Sequence, residues 1–395
     1  MNIIVVSRFS VVKDKTGDGF LAPLQVLRDN YKLLLQIFDK VILMAPVSVK
    51  NADNYVDVKT LGIDVLGLPF TSLNPGHLLS KRKYIFDLLS KHLTSDTVII
   101  DQESAAFSPI VLDFAIKYKV PYAMRMVADP YDFFSRKAYK GFGRQLFRYY
   151  FYFKTRYYCY NATVVFYVTK QYLQQRYPTK GNSFSMSGVI LREDSFIAPN
   201  TIDKKGDLNL LWIGHYTQPA KGALLLLKAL VMVRKKGYGF KLTLIGNGTY
   251  KRECIAFVLK HKLQGVVRFL PQMSHSPEFF KEFTAADLFV LPSFHEGLPR
   301  VLLEAMARSI PCVAFDTGGI KEILNEDGLV KKKNPEGLAN KIVEVMADPL
   351  LRKRMAETNF VTAKKYEKNL LDEEFCKGLE ELKEAAMKRK NNIRG

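Results

Sequence analysis

Two carboxylates, Glu296 and Glu304, stand with seven residues between them in Pro292-Ser-Phe-His-Glu-Gly-Leu-Pro-Arg-Val-Leu-Leu-Glu-Ala-Met-Ala307. A Gly/Pro turn, Gly297 to Pro299, separates Glu296 from an apolar helical pattern that opens at Arg300. Just upstream, Ala285 to Pro292 reads as a short buried strand. A strand, a tight turn and a helix start leave unpaired N–H groups at the helix N-terminus, where an anion is stabilised. Carboxylates accept hydrogen bonds from hydroxyls. The stretch therefore suits a ligand that is both anionic and rich in hydroxyls.

Other residues could serve the same ligand. Lys221 precedes Gly222 at the start of a helical pattern, where a cation and helix-end N–H groups suit developing negative charge. Gly318, Gly319 and Glu322 form a second glycine-rich turn after the strand at 312–315. Gly17 and Gly19, in Thr16-Gly-Asp-Gly-Phe20, follow the first strand and would allow close backbone approach. Asp129 ends a strand just before Pro130, as a site acid or as a turn element. Residues 135–160 hold seven Lys/Arg, no acid and dense aromatics. Such a helix suits an anionic membrane surface; the alternative is a half-buried helix whose rings fill the core. Single-stranded nucleic acid would also suit it, but no nucleic-acid motif accompanies it, so no such partner is expected.

These residues need elements to hold them. Short apolar runs alternate with helical patterns, the signature of βα units and parallel sheets. The first half predicts strands at 3–7, 40–45, 65–68, 98–101, 122–127 and 162–167, with helices such as 24–38 and 110–118. Residues 191–207 are polar and aperiodic, with Pro199 and Gly206. The alternation restarts with strands at 208–214, 241–246, 267–270, 288–291 and 312–315. Helices fit 222–236, 277–284, 300–307 and 335–347, and from 349 to 390 the pattern is charged and helical. The expected division is a domain over 1–190, a linker over 191–207, a domain over 208–365 and a helical segment over 366–395. The fold class is α/β: two Rossmann-like domains facing across a cleft, with ligands beyond the carboxyl ends of the strands.

Composition bounds the rest. Net charge is +20, with 26 Lys/Arg against 16 Asp/Glu in residues 1–200, so both halves share the basic excess. Such a surface favours phosphorylated ligands and other polyanions. The four cysteines lie far apart without metal-ligand spacing, which argues against a zinc site or a disulfide framework. The first apolar run is too short for a signal peptide, and none reaches the roughly 20 residues of a membrane span. A cytoplasmic protein is expected, peripheral on the inner face of the membrane if 135–160 docks there.

The order of motifs resembles the C-terminal domain of GT-B glycosyltransferases, specifically the retaining family 4 type (glycosyl transferases group 1). The residues that carry the likeness are Leu211-Trp-Ile-Gly-His-Tyr-Thr-Gln-Pro-Ala-Lys-Gly222, Leu242-Thr-Leu-Ile-Gly-Asn-Gly248, the Glu296/Glu304 pair, Val313-Ala-Phe-Asp-Thr-Gly-Gly-Ile-Lys-Glu322 and Asn334-Pro-Glu-Gly-Leu-Ala339. The likeness is good over about 160–370 and thin before that.

The resemblance implies a nucleotide-diphospho-sugar donor, UDP-linked, and transfer of a hexose or N-acetylhexosamine to a glycan acceptor. With the basic aromatic segment, the acceptor would be lipid-linked, in cell-surface polysaccharide biosynthesis. By the resemblance Glu304 holds the ribose, Lys221 the diphosphate, and Glu296 with the N–H groups of Leu298 and Arg300 the sugar. Gly297 lies in that same sugar-binding turn, and Asp129 near the reacting sugar. Gly17, Gly19, Gly318, Gly319 and Glu322 would lie near the donor. The family's usual Arg after the first glycine is here His215, so His215 or Arg300 would take the second phosphate contact. Front-face substitution is implied, with no metal or other cofactor, and the C-terminal helix is expected to return to the first domain. No Asp-x-Asp pair is present, and turnover is expected to survive chelation. Alternatives are a sugar-nucleotide epimerase, a glycan phosphorylase and a donor-binding protein without turnover.

Overall fold

The computed structural model describes every residue except 15–18, 24–29, 49–54, 71–74, 103–104, 134–142, 200–205, 218 and 395. Strands in the first half are β1 (Asn2–Val6), β2 (Val11–Lys13), β3 (Phe20–Pro23), β4 (Lys40–Ser48), β5 (Tyr55–Asp57), β6 (Ile63–Leu68), β7 (Thr97–Asp101), β8 (Tyr122–Met126), β9 (Val164–Tyr167) and β10 (Asn182–Ser185). Seven of them form a parallel array in the order β6-β4-β1-β7-β8-β9-β10. Apolar runs such as Val98-Ile-Ile100 are buried on both faces, as strands between two helical layers must be. The strands β2, β3 and β5 form an antiparallel ribbon on the end of β4. Segments of three or four residues carry too little alternation to be read from sequence.

The second half holds β11 (Leu208–Ile213), β12 (Phe240–Ile245), β13 (Val267–Leu270), β14 (Leu288–Leu291), β15 (Cys312–Phe315) and β16 (Leu329–Val330). All are parallel, in the order β13-β12-β11-β14-β15-β16. Chain order reverses direction between β11 and β14, so loops leaving their carboxyl ends diverge and open a crevice there. The matching point in the first sheet lies between β1 and β7.

Two chain segments cross between the sheets, and they touch. Leu191 bridges to Glu367, and the Lys368 N–H donates to the Leu191 carbonyl at 2.7 Å. Beyond the first crossing, the Ile197 N–H donates to the Ala307 carbonyl, which fixes that part of the linker to the second sheet's helices. Beyond the second, the helix Lys368–Arg394 lies on the first sheet. Phe375, Leu379, Leu382 and Ala386 pack with Ile3, Val5, Val98, Ile100 and Phe166. Gly378 is required for that fit: a Cβ there would run into the Phe166 ring. The last helix thus completes the core of the first sheet.

Candidate functional site

Three loops from the second sheet meet at its crevice. After β11 the chain makes a turn at Pro219–Lys221 and enters the helix Ala223–Lys235 through Gly222. Gly222 has φ +75°, and a Cβ there would overlap the Pro292 carbonyl, so only glycine brings this turn against the loop after β14. The Ala220 carbonyl accepts from the Phe294 N–H at 2.8 Å and from the Ser293 hydroxyl at 3.3 Å. Trp212, fully buried, donates its indole N–H to the Lys221 carbonyl at 3.1 Å. These bonds place the Lys221 ammonium 2.7 Å from Glu296 Oε1. Glu296 is buried, whereas Lys221 is about one-third exposed toward the crevice. Cation and carboxylate neutralise each other here, and an incoming diphosphate would compete for the same ammonium.

Glu304 lies in the second turn of the helix Arg300–Ala307 and is buried. Its Oε1 accepts a hydrogen bond from His275 Nε2 at 3.1 Å, while its Oε2 is buried with no partner. An unsatisfied buried acceptor costs about 1–3 kcal/mol, so a ligand hydroxyl at Oε2 would remove a standing penalty. His275 is the residue that sequence reasoning missed. It follows β13, at the carboxyl end where such sheets bind ligands, and that position was the available signal. Phe279 and Phe280 border its ring.

The second glycine-rich turn lies against the turn that carries Glu296. The Gly319 N–H donates to the Gly297 carbonyl at 2.8 Å, and a Cβ on Gly318 would overlap the Glu296 carbonyl. The two turns are therefore stacked. They also approach the first domain: a Cβ on Gly297 would overlap the Val127 carbonyl, and one on Gly319 would press on Thr169. Glu322 takes a different place from the one expected. Its carboxylate accepts from the backbone N–H groups of Lys170, Gln171 and Tyr172, the last two at 3.1 and 2.6 Å, so it is occupied by the first domain.

Asp129 is corrected as well. It is fully buried, and its carboxylate accepts from the Tyr131 N–H, the Tyr172 and Tyr177 hydroxyls and the Arg176 guanidinium. An acid this committed caps the Pro130–Phe133 turn and ties it to the helix Tyr172–Arg176; it has no capacity left for a sugar. Burial, followed by the Asp129 charge, pushes the Tyr177 phenol well up from its ordinary range. His295, next to Glu296, is held below its ordinary pKa by burial, against the opposing pull of Asp132, Glu296 and Asp129.

The remaining residues divide. His215 is exposed on the loop leaving β11, and Arg300 is exposed at the start of its helix. A Cβ on Gly188 would lie 3.2 Å from Arg125 and 3.9 Å from Arg300, so guanidinium side chains from both domains converge on the crossover. Leu298 is buried in the turn. Gly17 lies outside the described residues. Gly19 closes the β2–β3 hairpin, its carbonyl accepting from the Asp14 N–H at 3.0 Å. Among the described residues, no three His, Cys, Asp or Glu side chains gather as metal ligands.

Residues 197–360 match the family described as glycosyl transferases group 1. The chain is 26% identical over 355 residues to protein CapJ of Staphylococcus aureus, covering 87% of this chain and 88% of that protein. It is 35% identical over 80 residues to the putative teichuronic acid biosynthesis glycosyltransferase TuaC of Bacillus subtilis, covering 20% of this chain and 21% of TuaC. The fold is similar to that of Anabaena HepE, solved with UDP and glucose, at a TM-score of 0.63 and 17% identity over 96% of this chain and 99% of that one. The two-sheet architecture is that of GT-B.

Proposed function

We propose that this chain, a glycosyltransferase whose second half is a glycosyl transferases group 1 domain, moves a hexose or N-acetylhexosamine from a UDP-linked sugar to a glycan acceptor of a cell-surface polysaccharide. The unpartnered buried Oε2 of Glu304 carries the reading. It lies on the same helix-and-turn unit as Glu296, whose ammonium partner Lys221 is bound at the β11/β14 crevice. One ligand with a vicinal diol, a diphosphate and a hydroxylated ring uses all three groups: Glu304 for ribose, Lys221 for the leaving diphosphate, Glu296 for the sugar. The likeness to TuaC, a putative teichuronic acid biosynthesis glycosyltransferase, and to HepE, solved with UDP and glucose, favours the polysaccharide and the uridine nucleotide.

Transfer would proceed with retention by front-face attack, the leaving phosphate taking the acceptor's proton. The protein supplies position and charge rather than a covalent nucleophile. Double displacement needs a carboxylate beneath the anomeric carbon, and of the two acids at hand Glu296 is paired to Lys221 and Glu304 is held by His275. A strict requirement for Mn²⁺ or Mg²⁺ would overturn the metal-free form of this mechanism.

The acceptor would be lipid-linked. Leu146, Tyr150, Phe153, Tyr157 and Tyr160 are all exposed on the helix Arg144–Asn161, at alternating spacings of four and three. They form one exposed apolar and aromatic face, while Tyr158 and Cys159 bury the opposite side. No helix among the described residues is long and apolar enough to cross a membrane.

A panel of nucleotide sugars in a thermal-shift assay tests the donor, because a ligand that binds only the folded state raises Tm. UDP-sugars should stabilise, and Glu304→Ala should lower UDP affinity about ten- to a hundredfold, the worth of a charged hydrogen bond. Unchanged affinity in that variant would remove the ribose assignment.

A further inference from the structure

The first four N–H groups of a helix have no partner within it. The short helix Tyr172–Arg176 meets this need from two domains. The Leu173 N–H donates to the Thr169 hydroxyl at 3.0 Å, within the first domain. The N–H groups of Lys170, Gln171 and Tyr172 donate to the Glu322 carboxylate, about 150 residues away on the second domain. A carboxylate accepting three backbone N–H groups is strongly oriented, and a negative charge at a helix N-terminus is favoured.

Both ends of this contact lead to the site. On the second domain, Glu322 ends the Gly318–Glu322 turn, which is bonded through Gly319 to Gly297, next to Glu296. On the first domain, Tyr172 and Arg176 of the capped helix hold Asp129, and Asp129 fixes the chain leaving β8. Val127, in that same stretch, presents the carbonyl that leaves no room for a side chain on Gly297.

We propose that Glu322 is the clasp that sets the closed register of the two domains, a positioning residue and not a donor ligand. Closing brings the carboxylate under the 170–172 amides; opening must expose those three N–H groups and the carboxylate to water together. Gly297 and Gly319 lack side chains because the domains close on their backbone. The inference rests on the glycosyltransferase reading only for its effect on turnover; the contact and its exchange behaviour do not depend on which sugar is used.

The test compares the wild-type chain with Glu322→Ala and Glu322→Gln. Hydrogen exchange of a peptide spanning 168–174 should be slow in the wild type and at least tenfold faster in Glu322→Ala. Glu322→Gln should fall between, since an amide oxygen keeps one side of the cap. UDP affinity, measured by calorimetry, should stay within twofold, because Glu304 and Lys221, the groups proposed to hold UDP, both lie on the second domain and neither touches Glu322. Turnover of the donor identified by thermal shift should fall tenfold or more in kcat with KM for donor little changed. Small-angle scattering should show a larger radius of gyration for Glu322→Ala. Unchanged exchange at 170–172 overturns the clasp. A tenfold loss of UDP affinity would return Glu322 to the donor site and overturn it as well. Failure of wild-type UDP binding would instead defeat the donor reading and leave the exchange result to decide the clasp.

Discussion

Lys221 carries the charge that a leaving diphosphate needs, and its environment says how it is set. The Gly222 close approach, the Trp212 indole and the Ala220 carbonyl fix its backbone, while its ammonium is free to leave Glu296 for phosphate oxygens. An interaction that strengthens as the bond breaks lowers the barrier rather than improving ground-state binding. Lys221→Ala should therefore reduce kcat on the order of a hundred- to a thousandfold, the usual cost of one stabilising donor. KM for donor should change far less. Steady-state kinetics check this, and a full-speed variant would remove Lys221 from the mechanism. At this scale the sequence was readable where the determinants were local. The helix start after Gly222, the 297–299 turn and the apolar run before Glu304 are set by residues within a few positions of where they stand. It was not readable for Asp129, Glu322 or His275, whose partners lie 29 to about 150 residues away. Asp129 before Pro130 reads as a site acid or as a turn element, and only the four donors around it decide between them.

Elements show the same division. Long periodic segments such as Ala223–Lys235 and Pro335–Ala347 stand close to where the apolar spacing puts them. The ribbon of β2, β3 and β5 was invisible because each strand is too short to alternate. The basic aromatic segment is the informative case, since the half-buried reading holds for one side of the helix and the other side stays exposed. Tyr158 and Cys159 do fill the core, and Arg148 stacks 3.6 Å over the Tyr131 ring while donating to its carbonyl. Lys154 pairs with Asp113 at 3.5 Å. Leu146 and Phe153, by contrast, are 74% and 62% exposed. Aromatic side chains on a basic helix are at home at a bilayer interface. The chain should float with vesicles containing anionic phospholipid and much less with purely zwitterionic ones. Leu146→Ser combined with Phe153→Ser should lower vesicle binding about tenfold or more with little change in Tm, because both side chains are mostly exposed. Equal flotation of wild type and double variant would assign the exposed face another role.

At the scale of the molecule, the two sheets are joined by the touching crossover segments and by a second set of contacts near Glu296: the glycine turns against Val127 and Thr169, the Glu322 clasp, and His295 between the two charge clusters. His295 gives this junction a pH dependence. Its neighbours are Asp132 and Asp129 from the first domain and Glu296 and Lys221 from the second, and burial outweighs the three acids in lowering its pKa below 6.5. A histidine buried in its neutral form binds fewer protons when folded than when unfolded, so stability rises with pH in that window. Its contribution is complete above about pH 6.5, the ordinary imidazole value, and is lost as pH falls from there toward the depressed folded value. Protonation inside the junction also places a cation beside Lys221, which competes for Glu296. The Tm of the wild type should therefore fall between pH 7.5 and 5.5 more steeply than that of His295→Gln, which has no proton to take up there. Donor stabilisation should shrink over the same interval in the wild type. Parallel Tm profiles for the two proteins would show that His295 does not titrate in this range, and would shift any observed acid sensitivity to the carboxylates around it.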